Sequence, residues 1–318
     1  MANSNLLIIH QGALGDVVLT FPAIIALRQK FRCIDLICQG QLGKLASHLG
    51  LVEKSYPLEA AYFATLFSDP MDAGIRDLLG NYARILVFSF SVDLEKAINQ
   101  NIDRPCLRVN PRPPARERIH VADFLIQRIE AGGLIETADA GDAVSGWHRK
   151  QTHRAHSSID RSKIIIHPGS GSIRKCWPLT SFLELAQRLE KRGLQPQFVC
   201  GPAEPHLIQE IRNRGRKVHI FSELTNLVDW LESAGEYIGN DSGVSHLAAF
   251  LVLPSVVIFG PADPVRWKPP GPRVRIVRPE LDCHPCFEIE PDNCTQPACL
   301  TDANLESVLA AFDEVLKG

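Results

Sequence analysis

The apolar positions of the chain fall into two rhythms. Short runs rich in β-branched residues alternate with longer stretches in which apolar residues recur every three or four positions. The first kind reads as buried strands and the second as helices laid over them, the alternation that builds a parallel sheet with helices on its faces. Strands are predicted at Leu6–Ile9, Ile34–Cys38, Ile85–Phe90, Ile164–His167, Pro196–Cys200, Val218–Phe221, Glu236–Ile238, Ser255–Phe259 and Val274–Val277. Helices are predicted at Val17–Lys30, Thr180–Arg192, Pro205–Arg214, Thr225–Ala234, Val244–Leu251 and Asn304–Lys317.

Between the halves, Thr137–Ser162 loses this periodicity and collects Gly, Ser, His and Arg, as a connecting segment does. A boundary near residue 155 follows, with an N-terminal domain over 1–155 and a C-terminal domain over 156–318. Each half opens on a strand that runs into a glycine-containing turn. The expected fold class is therefore α/β, with two Rossmann-like domains facing a cleft and ligands bound beyond the carboxyl ends of the strands.

A length of 318 residues leaves room for two domains, each with its own core. With a formal net charge of −2, 45% hydrophobic and 22% charged residues, the chain reads as soluble and globular. That balance excludes disorder and sets nucleic acid aside as a partner, because such proteins carry a basic excess. The apolar run Leu247–Gly260 contains Pro254 and falls short of the roughly 20 residues that a membrane span needs. The opening MANSNLLIIHQG has no positive leader and is not expected to be a secretory signal. Nine cysteines in such a chain suggest a reducing compartment, so the expected location is the cytoplasm.

Three strand–turn–helix segments carry candidate chemistry. In LLIIHQGALGDVVLTF, Gly12 and Gly15 allow a tight turn and close approach to a ligand, and Asp16 falls in the first helical turn. A carboxylate there is stabilised in its charged form by the helix dipole, so it can accept a proton; the plainer alternative is that it caps its own helix. In HPGSGSIRKCWP, Gly169, Ser170, Gly171 and Ser172 form a donor-rich loop. It is no dinucleotide fingerprint, because Arg174 stands where a third glycine is required, nor is it a GxxxxGK[ST] phosphate loop. Lys175 is within reach of the same pocket and could neutralise a phosphate, or it could be a solvated surface lysine.

In EYIGNDSGVSHLAAF, Asp241, Ser242 and Gly243 stand at a helix entry and His246 one turn later. Backbone N–H groups around Ser242 to Ser245 make this end an anion seat. Asp241 would repel phosphate and suits sugar hydroxyls or helix capping, while His246 is either a further donor or a packing residue. Glu204, in CGPAEP, suits ribose or sugar hydroxyls, or caps the helix that follows.

Taken in order, GALGDVVLTFPAIIALR, HPGSGSIRKCWP, CGPAEP and GNDSGVSHLAA resemble the ADP-heptose:lipopolysaccharide heptosyltransferases, glycosyltransferase family nine. The resemblance implies a glycosyltransferase B fold, with an acceptor-binding first domain, a nucleotide-sugar-binding second domain and a final helix returning to the first. It implies an inverting, metal-independent transfer of heptose from ADP-heptose to a lipopolysaccharide inner-core acceptor. Carried over residue by residue, the catalytic carboxylate falls on Asp16. The nucleotide-sugar contacts fall on Ser170, Gly171, Lys175, Glu204, Asp241, Ser242, Gly243 and His246. Gly171 lacks the hydroxyl that some relatives carry at that point. Gly12 and Gly15 fall on the acceptor side.

Two features stay open at this level. RVNPRPPARER gathers Arg108, Arg112, Arg116 and Arg118 among prolines. Arg112 and Arg116 are candidates to dock a phosphorylated, lipid-linked saccharide, the alternative being a stiff solvated loop. Cys283, Cys286, Cys294 and Cys299 have a spacing that a small structural zinc site would suit, but no cofactor is expected and packed or free thiols are the simpler reading. The partners expected are a nucleotide-sugar donor and a lipid-linked acceptor, for a monomer with room for a peripheral contact at the inner face of the cytoplasmic membrane. The rival readings are a transferase with a different nucleotide sugar or acceptor, and a non-catalytic nucleotide-sugar-binding protein.

Overall fold

A computed structural model describes residues 4–317 apart from 69, 155–158, 203, 282, 290–293 and 295–297. The chain forms two compact units, Met1–Pro113 with Val121–Trp147, and Pro114–His120 with His148–Gly318. The predicted boundary near residue 155 lies outside the described residues.

The first unit is built on a parallel sheet of β1 (Asn5–His10), β2 (Cys33–Cys38), β3 (Lys54–Pro57), β4 (Arg84–Phe88) and β5 (Cys106–Val109), in the order β3-β2-β1-β4-β5. Its helices are α1 (Leu14–Leu27), α2 (Gly40–His48), α3 (Ala73–Gly80), α4 (Val92–Asn101) and α5 (Val121–Ala131), and α6 (Thr137–Arg154) begins in it and passes to the second unit after Trp147. Leu7 and Ile9 of β1 and Ile85 and Val87 of β4 are buried with Ile75, Leu79, Leu94 and Ile98 from α3 and α4. α1 begins three residues earlier than predicted, because Ala13 is extended and takes the cap position before Leu14.

The second unit carries β6 (Asp160–His167), β7 (Gln195–Cys200), β8 (Val218–Ile220), β9 (Ala234–Asn240), β10 (Ser255–Ile258) and β11 (Val274–Val277), again all parallel, in the order β11-β10-β9-β6-β7-β8. It is covered by α7 (Leu179–Lys191), α8 (Pro205–Asn213), α9 (Leu224–Glu232), α10 (Gly243–Phe250), α11 (Pro264–Trp267), α12 (Ala298–Thr301) and α13 (Leu305–Val315). All nine predicted strands form.

Three expectations need correction. The short edge strands β3 and β5 were not predicted, because KSYP and CLRV show no buried run for a periodicity to reveal. Thr137–Arg154 is helical rather than an irregular connector; its apolar content is too low to show the period, and the His148 ring packs edge-on at 6.4 Å from Phe250. Finally, α13, which the resemblance sends back to the first domain, is part of the second unit. It buries Val308, Leu309, Phe312 and Val315 in the second unit's core beside Ile164, Ile258 and Val277, an apolar face already satisfied there.

Residues 114–120 join the second unit because its residues satisfy their polar groups. Arg266, 1% exposed, donates to the carbonyls of Pro114 and Glu117, and Arg118 pairs with Asp263 at 2.8 Å. His120 Nε2 donates to the Lys268 carbonyl at 2.8 Å. Among the described residues, no helix is long and apolar enough to cross a membrane.

Candidate functional site

Each sheet has one point where the strand order reverses, β1/β4 in the first and β6/β9 in the second. Chains leaving neighbouring strands there turn in opposite directions and open a crevice at the carboxyl ends. The turn of Gly12–Asp16 stands at the first such point. The segments containing Lys175 and Asp241 stand at the second.

In the first unit, His10 ends β1 fully buried, and burial lowers its pKa to about 4. It is therefore neutral at pH 7. Its Nδ1 accepts the Gly12 N–H at 2.9 Å, so the remaining proton is on Nε2 and is donated to Thr20 Oγ1 at 3.1 Å. Thr20 Oγ1 in turn donates to the Asp16 carbonyl at 2.9 Å. The Gly12 turn and the first turn of α1 are thus tied through one imidazole, a connection that the sequence reading missed. The Asp16 side chain is half-buried, and its Oδ2 accepts the Ala13 N–H at 3.3 Å. The capping alternative is realised in part, leaving the other oxygen for further contacts. A Cβ on Gly12 would lie 2.6 Å from both Asp16 Cβ and His10 Cε1, which explains the glycine.

In the second unit, a network joins the ends of β6, β7 and β9. Glu204 Oε2 accepts the Gly201 N–H at 2.7 Å and lies 3.5 Å from His167 Nε2. His167 Nδ1 is 3.3 Å from Ser242 Oγ. Ser242 Oγ accepts the Ser245 N–H at 3.3 Å and so caps α10. Ser170 Oγ donates to the Asp241 carbonyl at 2.7 Å. Burial raises the Glu204 pKa, but the hydrogen bond and charge of His167, with the Gly201 N–H, outweigh it and hold the carboxyl below its usual range. A Cβ on Gly169 would lie 1.7 Å from Glu204 Oε1, so a larger residue there would have to displace that carboxylate.

The ammonium of Lys175 lies 2.8 Å from Asp241 Oδ2 and 4.6 Å from the centroid of the Phe287 ring. Asp241 is 2% exposed. Burial pushes its pKa up, and His246, with Nε2 3.8 Å from Oδ1, together with Lys175 more than offsets this, so the carboxyl stays ionised below its ordinary value. Asp241 does not cap α10, since Ser242 does. The Ser242 hydroxyl faces inward, which leaves the backbone N–H groups of the half-exposed Gly243 and Val244 as the outward donors of the first turn. His246 is buried, and its Nδ1 has no partner among the described residues.

Sequence reasoning also missed Asn240, which is fully buried. Its side chain accepts the Trp177 N–H at 2.9 Å and donates to the Pro168 carbonyl at 2.7 Å, bracing the loop that carries Ser170 to Lys175. Asn240 precedes the motif in plain view, but nothing in a single sequence marks an amide as a brace. Gly171 differs from Gly169, since a Cβ there meets nothing within 4 Å.

The arginine segment divides between the units. Arg112 belongs to the first, with its guanidinium 5.4 Å from the centroid of Phe90. Arg116 belongs to the second, where it lines a cavity of about 390 Å³ with Arg118, Asp263, Phe287 and Glu288. Cys283, Cys286 and Cys294 lie near enough to Cys299 to act electrostatically on its thiol, but their sulfurs do not draw together as a ligand set: among the described residues, the one group of three such side chains whose ligand atoms lie within 4.8 Å of one another is Cys33, Asp35 and Glu53. The carboxylates of that group already accept the N–H groups of Ile34 and Lys54, the Tyr82 hydroxyl and Arg28.

Residues 123–295, more than half of the chain, match the model of glycosyltransferase family 9 (heptosyltransferase). Lipopolysaccharide heptosyltransferase 3 of Escherichia coli K12 is 33% identical over 133 residues, 39% of this chain and 38% of that protein. The chain spans about two fifths of the length of the curated relatives it matches first. A family 9 glycosyltransferase from Veillonella parvula superposes with a TM-score of 0.76 at 17% identity, over 98% of this chain and 97% of that one. The ADP-heptose lipopolysaccharide heptosyltransferase II of E. coli does so with 0.73 at 19% identity, over 98% of each. These likenesses show a common fold, two parallel α/β sheets of the glycosyltransferase B type, and the match over most of the second unit places the chain in glycosyltransferase family 9.

Proposed function

We propose that the protein is an inverting glycosyltransferase that moves heptose from ADP-heptose to a lipopolysaccharide inner-core acceptor without a metal ion. The observation that carries this reading is the Lys175 ammonium, held 2.8 Å from Asp241 beside the N-terminus of α10 at the reversal point of the second sheet. A cation and free helix N–H groups suit a departing diphosphate, and electrostatic seating of a leaving group is commonly the largest catalytic contribution.

In this reading the second unit binds the donor. Gly243, the backbone around Ser242, and Lys175 take the diphosphate; Glu204 takes ribose hydroxyls; Ser170, Gly171, Asp241 and His246 line the same site. Asp241 acts mainly by fixing Lys175 in place. The first unit binds the acceptor, with Gly12 and Gly15 allowing close approach and Arg112 docking an acidic group. Asp16 takes the proton from the acceptor hydroxyl as its oxygen bonds to the anomeric carbon, while the bond from that carbon to the diphosphate oxygen breaks on the opposite face and ADP leaves. General-base help of this kind is worth about 10²–10⁴-fold. The work would be done as a monomer in the cytoplasm, with the lipid-linked acceptor supplied at the membrane surface.

The test is transfer from ADP-heptose to a deacylated core saccharide, followed by mass spectrometry, with calorimetric titration of ADP, UDP and GDP. Asp16→Ala is expected to lower transfer about 10²–10⁴-fold with ADP binding intact. Undiminished transfer by that variant removes Asp16 as the base, and a lack of preference for ADP removes the heptosyl donor.

A further inference from the structure

At the reversal point of the first sheet, one side chain is not explained by folding. Phe90 follows β4 next to the Gly12 turn and is 55% exposed. An exposed ring contributes little to a core, yet the loop that presents it is firmly held. Ser89 Oγ donates to Gln11 Oε1 and accepts the Ser91 N–H at 2.9 Å. Arg108 grips the same loop from below, donating to the Ser89 carbonyl at 3.1 Å, to Glu95 at 2.9 Å and to Asn110 at 2.7 Å. Ser91 then caps α4 through the Leu94 N–H at 3.3 Å. The aromatic face is thus offered on a rigid support, with the Arg112 guanidinium 5.4 Å from its centroid.

Resting on the transferase reading above, the geometry points to Phe90 and Arg112 as an acceptor subsite for an acidic saccharide. The ring stacks on the C–H face of one pyranose, and the guanidinium pairs with an anionic group borne by that sugar or its neighbour. A pyranose face presents weakly positive C–H groups to the negative face of the ring. The planar guanidinium matches phosphate or carboxylate with two parallel hydrogen bonds. Gln11 ties this loop to the turn that carries Asp16, so the stacked sugar lies on the same sheet edge as the proposed base. Because the support is formed in advance, little ordering opposes binding.

The test uses a deacylated, phosphorylated core saccharide as the probe, alongside the same saccharide treated with phosphatase. Acceptor KM is measured with ADP-heptose, and saccharide binding to the full chain is measured by saturation-transfer NMR without donor. Phe90→Ala is expected to raise acceptor KM about ten-fold and weaken the NMR signal equally, while ADP affinity stays within two-fold; Phe90→Trp restores both. Arg112→Gln is expected to raise KM too. A rise confined to the phosphorylated probe assigns a phosphate partner, and a rise with both assigns a carboxylate. An unchanged acceptor KM in Phe90→Ala, a loss that Phe90→Trp does not restore, or no saccharide binding by the wild type overturns the subsite. Phe90-dependent binding without any transfer leaves the subsite standing and defeats the transferase reading instead.

Discussion

Replacing Lys175 by Met removes the cation that faces a buried carboxylate and keeps most of the side-chain volume. At 2.8 Å, and with an effective dielectric constant of about 20, the pair interacts by about 6 kcal/mol before desolvation is counted. Breaking a buried pair from one side leaves an uncompensated charge, which commonly costs about 3–5 kcal/mol. Asp241 is 2% exposed and the Lys175 side chain 19%, so solvent relieves little of this. A loss of about 3 kcal/mol in unfolding free energy is expected for Lys175→Met at pH 7. Because His246 still faces Asp241, the loss should lie at the lower end of that range. Lys175→Met with Asp241→Asn should recover most of it, since the buried charge is then gone. The sign with pH is also fixed. In the wild type the lowered Asp241 pKa contributes stability that is full above the unfolded value, near 4, and is lost as pH falls through the folded one. In Lys175→Met the lowering by Lys175 is gone while that by His246 stays, so the carboxyl protonates sooner than in the wild type and the deficit narrows on acidification. Urea unfolding followed by tryptophan fluorescence measures this, because Trp177, Trp230 and Trp267 all lie in the second unit. A coupling energy below about 0.5 kcal/mol between the two substitutions, the scale of additive distant sites, would refute the view that the pair is one electrostatic unit.

Three further outcomes are expected. Gly12→Ala forces a Cβ to within 2.6 Å of Asp16 and His10, so a loss of about 1–3 kcal/mol in stability should accompany a drop in transfer rate larger than any change in ADP affinity, read by thermal unfolding and initial rates. Gly171→Ser meets nothing within 4 Å and should fold unchanged; if the loop lines the donor site, titration calorimetry should show ADP-sugar affinity rising several-fold, and a fall would argue that the loop faces elsewhere. His10 has its folded pKa lowered to about 4 from 6.5, so the unfolded chain binds a proton first and stability should decline by about 3 kcal/mol as pH falls from 6.5 to 4. His10→Gln should lose that slope in a pH series of denaturant midpoints; an unchanged slope would mean the imidazole is not the titrating group.

The central strands were legible because strands covered on both faces must be continuous apolar runs, as in Leu6–Ile9 and Ile164–Ile166, whatever their neighbours. The edge strands β3 and β5 were not, since neither carries a run of buried residues. α6 escaped for a related reason: TADAGDAVSGWHRKQTHR has no apolar stripe, so its helix cannot be read from periodicity. At the site, the glycine turns and Asp16, Lys175 and Asp241 stood out by residue type and spacing. The roles of Asn240 and Phe287 did not, because each acts through partners far away in sequence, Trp177 for Asn240 and Lys175 for Phe287; His10 acts on the nearby Gly12 and Thr20, but residue type alone does not say where its ring points.

Local order along the chain therefore determined that this protein is a parallel α/β molecule with a glycine turn and a carboxylate after its first strand, and an amide-rich helix entry after a later one. Steric rules and burial act on neighbouring residues, so a single sequence carries them. Only the tertiary structure decided that Asp241 faces Lys175, that Arg112 and Arg116 belong to different units, and that α13 packs on the second sheet. Those outcomes depend on distances between segments tens of residues apart, fixed when strand order and packing bring them together.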